Sequence, residues 1–188
     1  MASMTVMVLG LVLFIGIHLV PALPALRTRL VARLGEGPYK GLFALVSAAG
    51  LVLIVVGWPG SPVRAQLFAP ISAARAAAPL IVSVAFVMFA AANMKTHIRA
   101  RLRHPMLIGL LLWSGVHLLA NGDLAGTVLF GSFAVYSLVA IASAESRGTV
   151  KPVAPVWKHD AIAIVAGLLV AYLVMRFHPQ IFGTSPVI

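Results

Sequence analysis

Six stretches of this chain, each roughly 17 to 20 residues long, are almost free of charge. They cover residues 4–20, 41–58, 76–94, 105–121, 124–142 and 161–177, and only the last holds a charged side chain, Arg176. Each is near the length that carries a helix across about 30 Å of hydrocarbon. Composition agrees, with 61% hydrophobic residues, 10% charged residues and a mean hydropathy of +1.05. A soluble domain carries about a quarter charged residues, so this chain cannot cover a water-facing surface. A backbone in lipid must satisfy its own hydrogen bonds, which leaves helices or a closed barrel. The apolar stretches are continuous rather than alternating, which selects helices. The expectation is an all-α, polytopic membrane bundle of about six transmembrane helices.

The formal charge of +10 is concentrated between these stretches. The first connection holds Arg27, Arg29, Arg33 and Lys40, the third Lys95, Arg99, Arg101 and Arg103, the fifth Arg147, Lys151 and Lys158. The second has only Arg64 and Arg75, and the fourth has no base. By the positive-inside rule the odd connections face the cytoplasm and both termini lie on the non-cytoplasmic side. The bilayer is then the first partner, with anionic headgroups facing the bases. A nucleic-acid surface is set aside, because the bases fill short gaps between spans. No Lys or Arg precedes the first stretch, whereas a secretory signal opens on a basic segment, so it reads as a retained helix. With no cysteine, disulfides, thiolate nucleophiles and thiolate ligation of haem or iron–sulfur clusters are excluded.

Local punctuation refines the spans. Pro21 and Pro24 should kink or end the first helix after His18. Pro105 suits a first helical turn, where its missing N–H costs nothing. Asn121-Gly122-Asp123 is turn chemistry and predicts an antiparallel pair of helices on either side. Gly122 and Gly126 form a GxxxG, a candidate packing seam.

Polar residues inside spans are costly and mark candidate sites. His18 and His117 are both surrounded by apolar sequence. Gly10, Phe14 and His18 share one helical face, as do Leu110, Trp113, His117 and Asn121. With the first helix ending near Leu26, His18 would lie roughly 12 Å inward, and His117 roughly 18 Å inward from Pro105. Two imidazoles at similar depth suit the two faces of a haem iron. Each ring also reads simply as a neutral imidazole bonded to a neighbouring helix. His97 and His104, among Lys95, Arg99, Arg101 and Arg103, read either as an anion site for haem propionates or a phosphate, or as a solvated basic loop. Asp123 orients His117, holds a substrate or caps the fifth helix. No phosphate loop, serine elbow or intramembrane carboxylate pair is present, so ATPase and general hydrolase chemistry has no residues to use.

Three blocks carry a family resemblance: Gly16-Ile17-His18-Leu19, Arg33 to Leu42 (RLGEGPYKGL), and Arg103-His104-Pro105-Met106-Leu107-Ile108-Gly109 running through His117 to Ala120-Asn121-Gly122-Asp123. The chain resembles the NnrU family across nearly its whole length, as a single NnrU-like transmembrane domain over 1–188. The resemblance implies a bacterial cytoplasmic membrane protein linked to denitrification, through production of nitrite and nitric oxide reductases. The same domain occurs in zeta-carotene isomerase, a haem b enzyme that isomerises a polyene. That relationship implies haem b with His18 and His117 as iron ligands; Arg103, His104 and Arg99 would then face the cytoplasmic end of the pocket and pair with propionates. In such a pocket Asn121 and Asp123 would close the opposite end, and the relative implies an apolar polyene or isoprenoid substrate entering from lipid. The isomerase can involve a cysteine one turn before the second histidine; Ser114 stands there. An enzyme of this kind would be a haem-dependent cis-trans isomerase.

Two other classes fit parts of the pattern. Arg103-His104-Pro105 is similar to the RHP motif of isoprenylcysteine and phospholipid methyltransferases, which bind S-adenosylmethionine. Those enzymes continue with a tyrosine and a later acidic pair, where this chain has Met106, Leu107 and the isolated Glu145. A non-enzymatic assembly factor would use the same pocket, with another membrane protein as its partner.

Overall fold

The computed structural model describes residues 3–58, 65–149 and 152–183, so Arg64 and Lys151 of the basic ledger lie outside the described residues. The described residues are helical, apart from connecting segments and an isolated bridge between Gln66 and Asp123. Contacts divide the chain into two compact units, Met1–Arg64 and Ala65–Ile188.

The first unit holds α1 (Met4–Leu19), a 3-10 turn (Val20–Ala22), α2 (Pro24–Leu34) and α3 (Glu36–Gly57). The Ser3 hydroxyl caps α1 by accepting from the Val6 N–H at 3.3 Å. The helix stops at Leu19 because Pro21 lacks an amide donor, and Pro24 then opens α2 at its first turn. His18 is therefore the penultimate residue of α1, and the 12 Å inward placement, which assumed helix to Leu26, is corrected.

Lipid offers no hydrophobic drive for helices to associate, so close packing must hold α1 to α3. Glycines permit it. A Cβ added to Gly10 would lie 2.6 Å from the Ile54 nitrogen, and one on Gly50 would lie 2.8 Å from the Phe14 nitrogen. A Cβ on Gly57 would overlap the Met7 backbone. The two backbones touch. The opposite faces are apolar and open, with Leu45 70% exposed, as a lipid-facing surface requires. α2 is different: it carries Arg27, Arg29 and Arg33 and buries none of its residues.

The second unit holds α4 (Ser72–Ala91), α5 (His97–Leu102), α6 (Pro105–Asn121), α7 (Leu124–Ser146), α8 (Trp157–Arg176) and α9 (His178–Phe182). α4 packs against both α6 and α8, and α7 packs on α6. Glycine again sets the spacing: a Cβ on Gly109 would meet the Ala85 carbonyl at 2.8 Å, and one on Gly167 would meet the Val87 Cα at 2.5 Å. A small core of Ala78, Val82 and Val116 is covered by Ile81, Phe86 and Trp113. The hydroxyls of Ser83, Ser114, Ser132 and Ser137 each donate to the carbonyl four residues back, which satisfies them inside apolar helices.

The expected tight turn is present, since α6 and α7 are joined by Gly122 and Asp123 alone. Gly122 is left-handed, at φ 72°, and a Cβ there would overlap the Phe68 carbonyl oxygen. Asp123 caps α7, its Oδ1 accepting the Gly126 N–H at 2.8 Å. The Gly122–Gly126 pair therefore makes a turn and a cap, not a helix seam. Segment 65–71 folds onto this corner, with Leu67 N–H donating to Gly122 O at 2.8 Å and Leu124 N–H to Ala65 O at 2.9 Å. Among the described residues five helices are long and apolar enough to cross a membrane, and Pro105–Asn121 is a shorter apolar one, in line with the six expected spans.

Candidate functional site

The two span histidines are held in the same way, each within its own unit. His18 Nδ1 lies 2.6 Å from the Phe14 carbonyl oxygen, and His117 Nδ1 lies 2.7 Å from that of Trp113. A carbonyl only accepts, so Nδ1 carries the hydrogen in both rings. In the neutral imidazole the lone pair is then on Nε2, the tautomer that a metal ligand needs. Aromatic rings flank both. His18 stacks on Phe14 at 4.2 Å and meets the edge of Phe43 at 5.0 Å. His117 lies 5.1 Å from Trp113 and 4.9 Å from Phe130. Asn121 Nδ2 donates to the His117 carbonyl at 2.6 Å, so Asn121 extends the His117 face as its spacing suggested. Among the described residues, no group of three or more His, Asp or Glu is placed to hold a bare metal ion. Each ring by itself has the donor chemistry of an imidazole ligand.

A second cluster lies at the end of the unit where α5 and α6 meet α7 and α8. Glu145, near the end of α7, accepts from Arg103 at 2.9 Å and lies 2.7 Å from His104 Nε2. Arg103 occupies φ 62°, a region that side chains rarely adopt, and ends α5 there. Beside it, the Asp160 carboxylate accepts the His97 N–H at 2.9 Å, the Ile98 N–H at 3.3 Å and the His97 ring at 2.7 Å. The His97 ring stacks on Trp157 at 3.9 Å. Arg99 contributes its amide to the Thr96 cap of α5.

Thus Arg103 and His104 come together, but not with His117. From Pro105 to His117 is twelve residues along α6, about 18 Å. What sequence spacing missed is the pairing of Glu145 and Asp160, since their partners lie 41 and 63 positions away. A usable signal existed. Only four acids face fourteen bases, so each carboxylate was bound to find a partner or a cap.

These features define a multi-pass helical membrane protein with two ring-flanked histidines and a carboxylate-tied basic end. The chain belongs to the NnrU family, whose model, described as NnrU protein, matches residues 6–186 and so runs through both units. No curated protein and no solved structure matches it.

Proposed function

We propose that this NnrU-family protein binds haem b in the bacterial cytoplasmic membrane, with His18 and His117, each prepared within its own unit, as the candidate iron ligands. The observation that carries the reading is the shared hydrogen bond from each Nδ1 to the carbonyl four residues back. It fixes each ring's tautomer and limits its rotation, the usual preparation of an imidazole ligand. The flanking Phe14, Phe43, Trp113 and Phe130 provide apolar, aromatic walls of the kind a porphyrin packs against. Haem held by these histidines would supply a one-electron redox couple. The surrounding residues exclude water and hold the imidazoles. Both termini face away from the cytoplasm on this reading, and the α5 end with Lys95, Arg99, Arg101 and Arg103 faces it.

The family resemblance connects this haem to denitrification, through production of nitrite and nitric oxide reductases, either by an assembly partner in the membrane or by isomerisation of an apolar polyene. The test is an absorption spectrum of detergent-purified protein reconstituted with haem, oxidised and then reduced with dithionite. A low-spin Soret and α band that His18→Ala and His117→Ala each abolish is expected. A spectrum indifferent to both substitutions sinks the reading.

One observation favours a second reading, an S-adenosylmethionine-dependent methyltransferase. The RHP segment is tied to an acid after all, because Glu145 meets both Arg103 and His104. Calorimetric titration with the methyl donor separates the two: binding lost in Glu145→Gln, without any haem spectrum, supports the methyltransferase.

A further inference from the structure

We infer that the groove between α4 and α6 is a phospholipid site, taking an acyl chain along its floor and the phosphate on Arg75. The groove encloses about 390 Å³ and is lined by Ile71, Ala74, Ile81, Leu111, Gly115 and Leu119, among other apolar side chains. It lies on the α6 face away from Trp113 and His117, whose rings turn toward Phe130 of α7. An apolar groove on a pair of membrane-spanning helices has the chemistry to take a lipid chain.

Gly115 opens it. The seam glycines Gly109 and Gly167 are pressed against neighbouring backbone, but a Cβ on Gly115 would have nothing within 4 Å. A helical glycine costs about 1 kcal/mol relative to alanine, and no helix-to-helix contact repays that at Gly115. Unlike the other open helical glycines, Gly115 lies in the groove lining, where its missing side chain leaves the floor clear.

Arg75 selects the headgroup. Its Nε donates to the Ala120 carbonyl at 3.1 Å, next to Leu119, while Ala74 beside it lines the groove. That bond uses one of five guanidinium donors, and the terminal nitrogens have no partner among the described residues. Arg75 sits in the first turn of α4, about 5 Å from the helix start, at the level where headgroups begin. Guanidinium and phosphate match in charge and in their paired donor–acceptor geometry. The occupant is therefore an acyl lipid with a phosphate, not a plain hydrocarbon.

Native mass spectrometry of the detergent-purified full chain, titrated with phosphatidylglycerol, diacylglycerol or inorganic phosphate, tests this. One saturable phosphatidylglycerol is expected, bound at least tenfold tighter than diacylglycerol, with no retained inorganic phosphate. Gly115→Leu fills open space and leaves the fold intact, so it should weaken both lipids tenfold or more. Arg75→Gln should lower phosphatidylglycerol binding to the diacylglycerol level and leave diacylglycerol unchanged. Should Arg75→Gln unfold, Arg75→Lys keeps the charge and should retain most of the preference. Equal binding of the two lipids by the wild type, or undiminished binding by Gly115→Leu, overturns the assignment.

Discussion

The Asp160 carboxylate accepts both the backbone N–H of His97, at 2.9 Å, and its ring Nδ1–H, at 2.7 Å. This one acid fastens the start of α8 to the start of α5. Asp160 is 7% exposed, so little water is available to replace a lost bond. In Asp160→Asn an amide NH₂ replaces one acceptor and faces donors. The expected cost is about 1–3 kcal/mol, read as a lower thermal unfolding midpoint in detergent. An unchanged midpoint would show that the clamp carries no stability.

Glycine substitutions should divide by what surrounds them. Gly167→Ala puts a methyl 2.5 Å from the Val87 Cα and must push α8 from α4, so a loss of about 1–3 kcal/mol is expected. Gly131→Ala meets nothing within 4 Å and should be neutral or gain up to about 1 kcal/mol through helix propensity. Chemical denaturation of the pair in one detergent reads the contrast.

Gly122→Ala combines a left-handed φ of 72° with overlap on the Phe68 carbonyl. Its cost should exceed the roughly 1–2 kcal/mol of left-handed backbone alone. Proteolysis in the segment 65–71, which leans on Gly122, should rise with it.

Arg103 permits a finer comparison. Arg103→Ala and Arg103→Gly both lose the contact with Glu145, but only glycine relaxes the positive φ. The glycine variant is expected to be the more stable by about 1–2 kcal/mol. Equal unfolding midpoints would mean the backbone strain is released some other way.

The spans were legible because a charge-free length is a direct requirement of the bilayer, and Pro21, Pro24 and Asn121-Gly122-Asp123 marked their ends through local chemistry. Helices α2 and α5 were not, since short helices among bases carry no apolar period long enough to read. The seams were misread for a related reason. Gly122–Gly126 has the spacing of a packing motif, but Gly10, Gly50, Gly109 and Gly167 make the contacts, each against a residue remote in sequence. At the candidate site, spacing placed Asn121 with His117 correctly, because both lie on one helix face. It could not bring Glu145 to Arg103 and His104, as that pairing depends on how α7 returns beside α6.

The two-residue join between α6 and α7 has a mechanical outcome. With only Gly122 and Asp123 to pay out, and segment 65–71 bonded over them, neither helix can slide along the membrane normal by itself. A shift of α6, which carries His117, along the membrane normal therefore draws α7 with it.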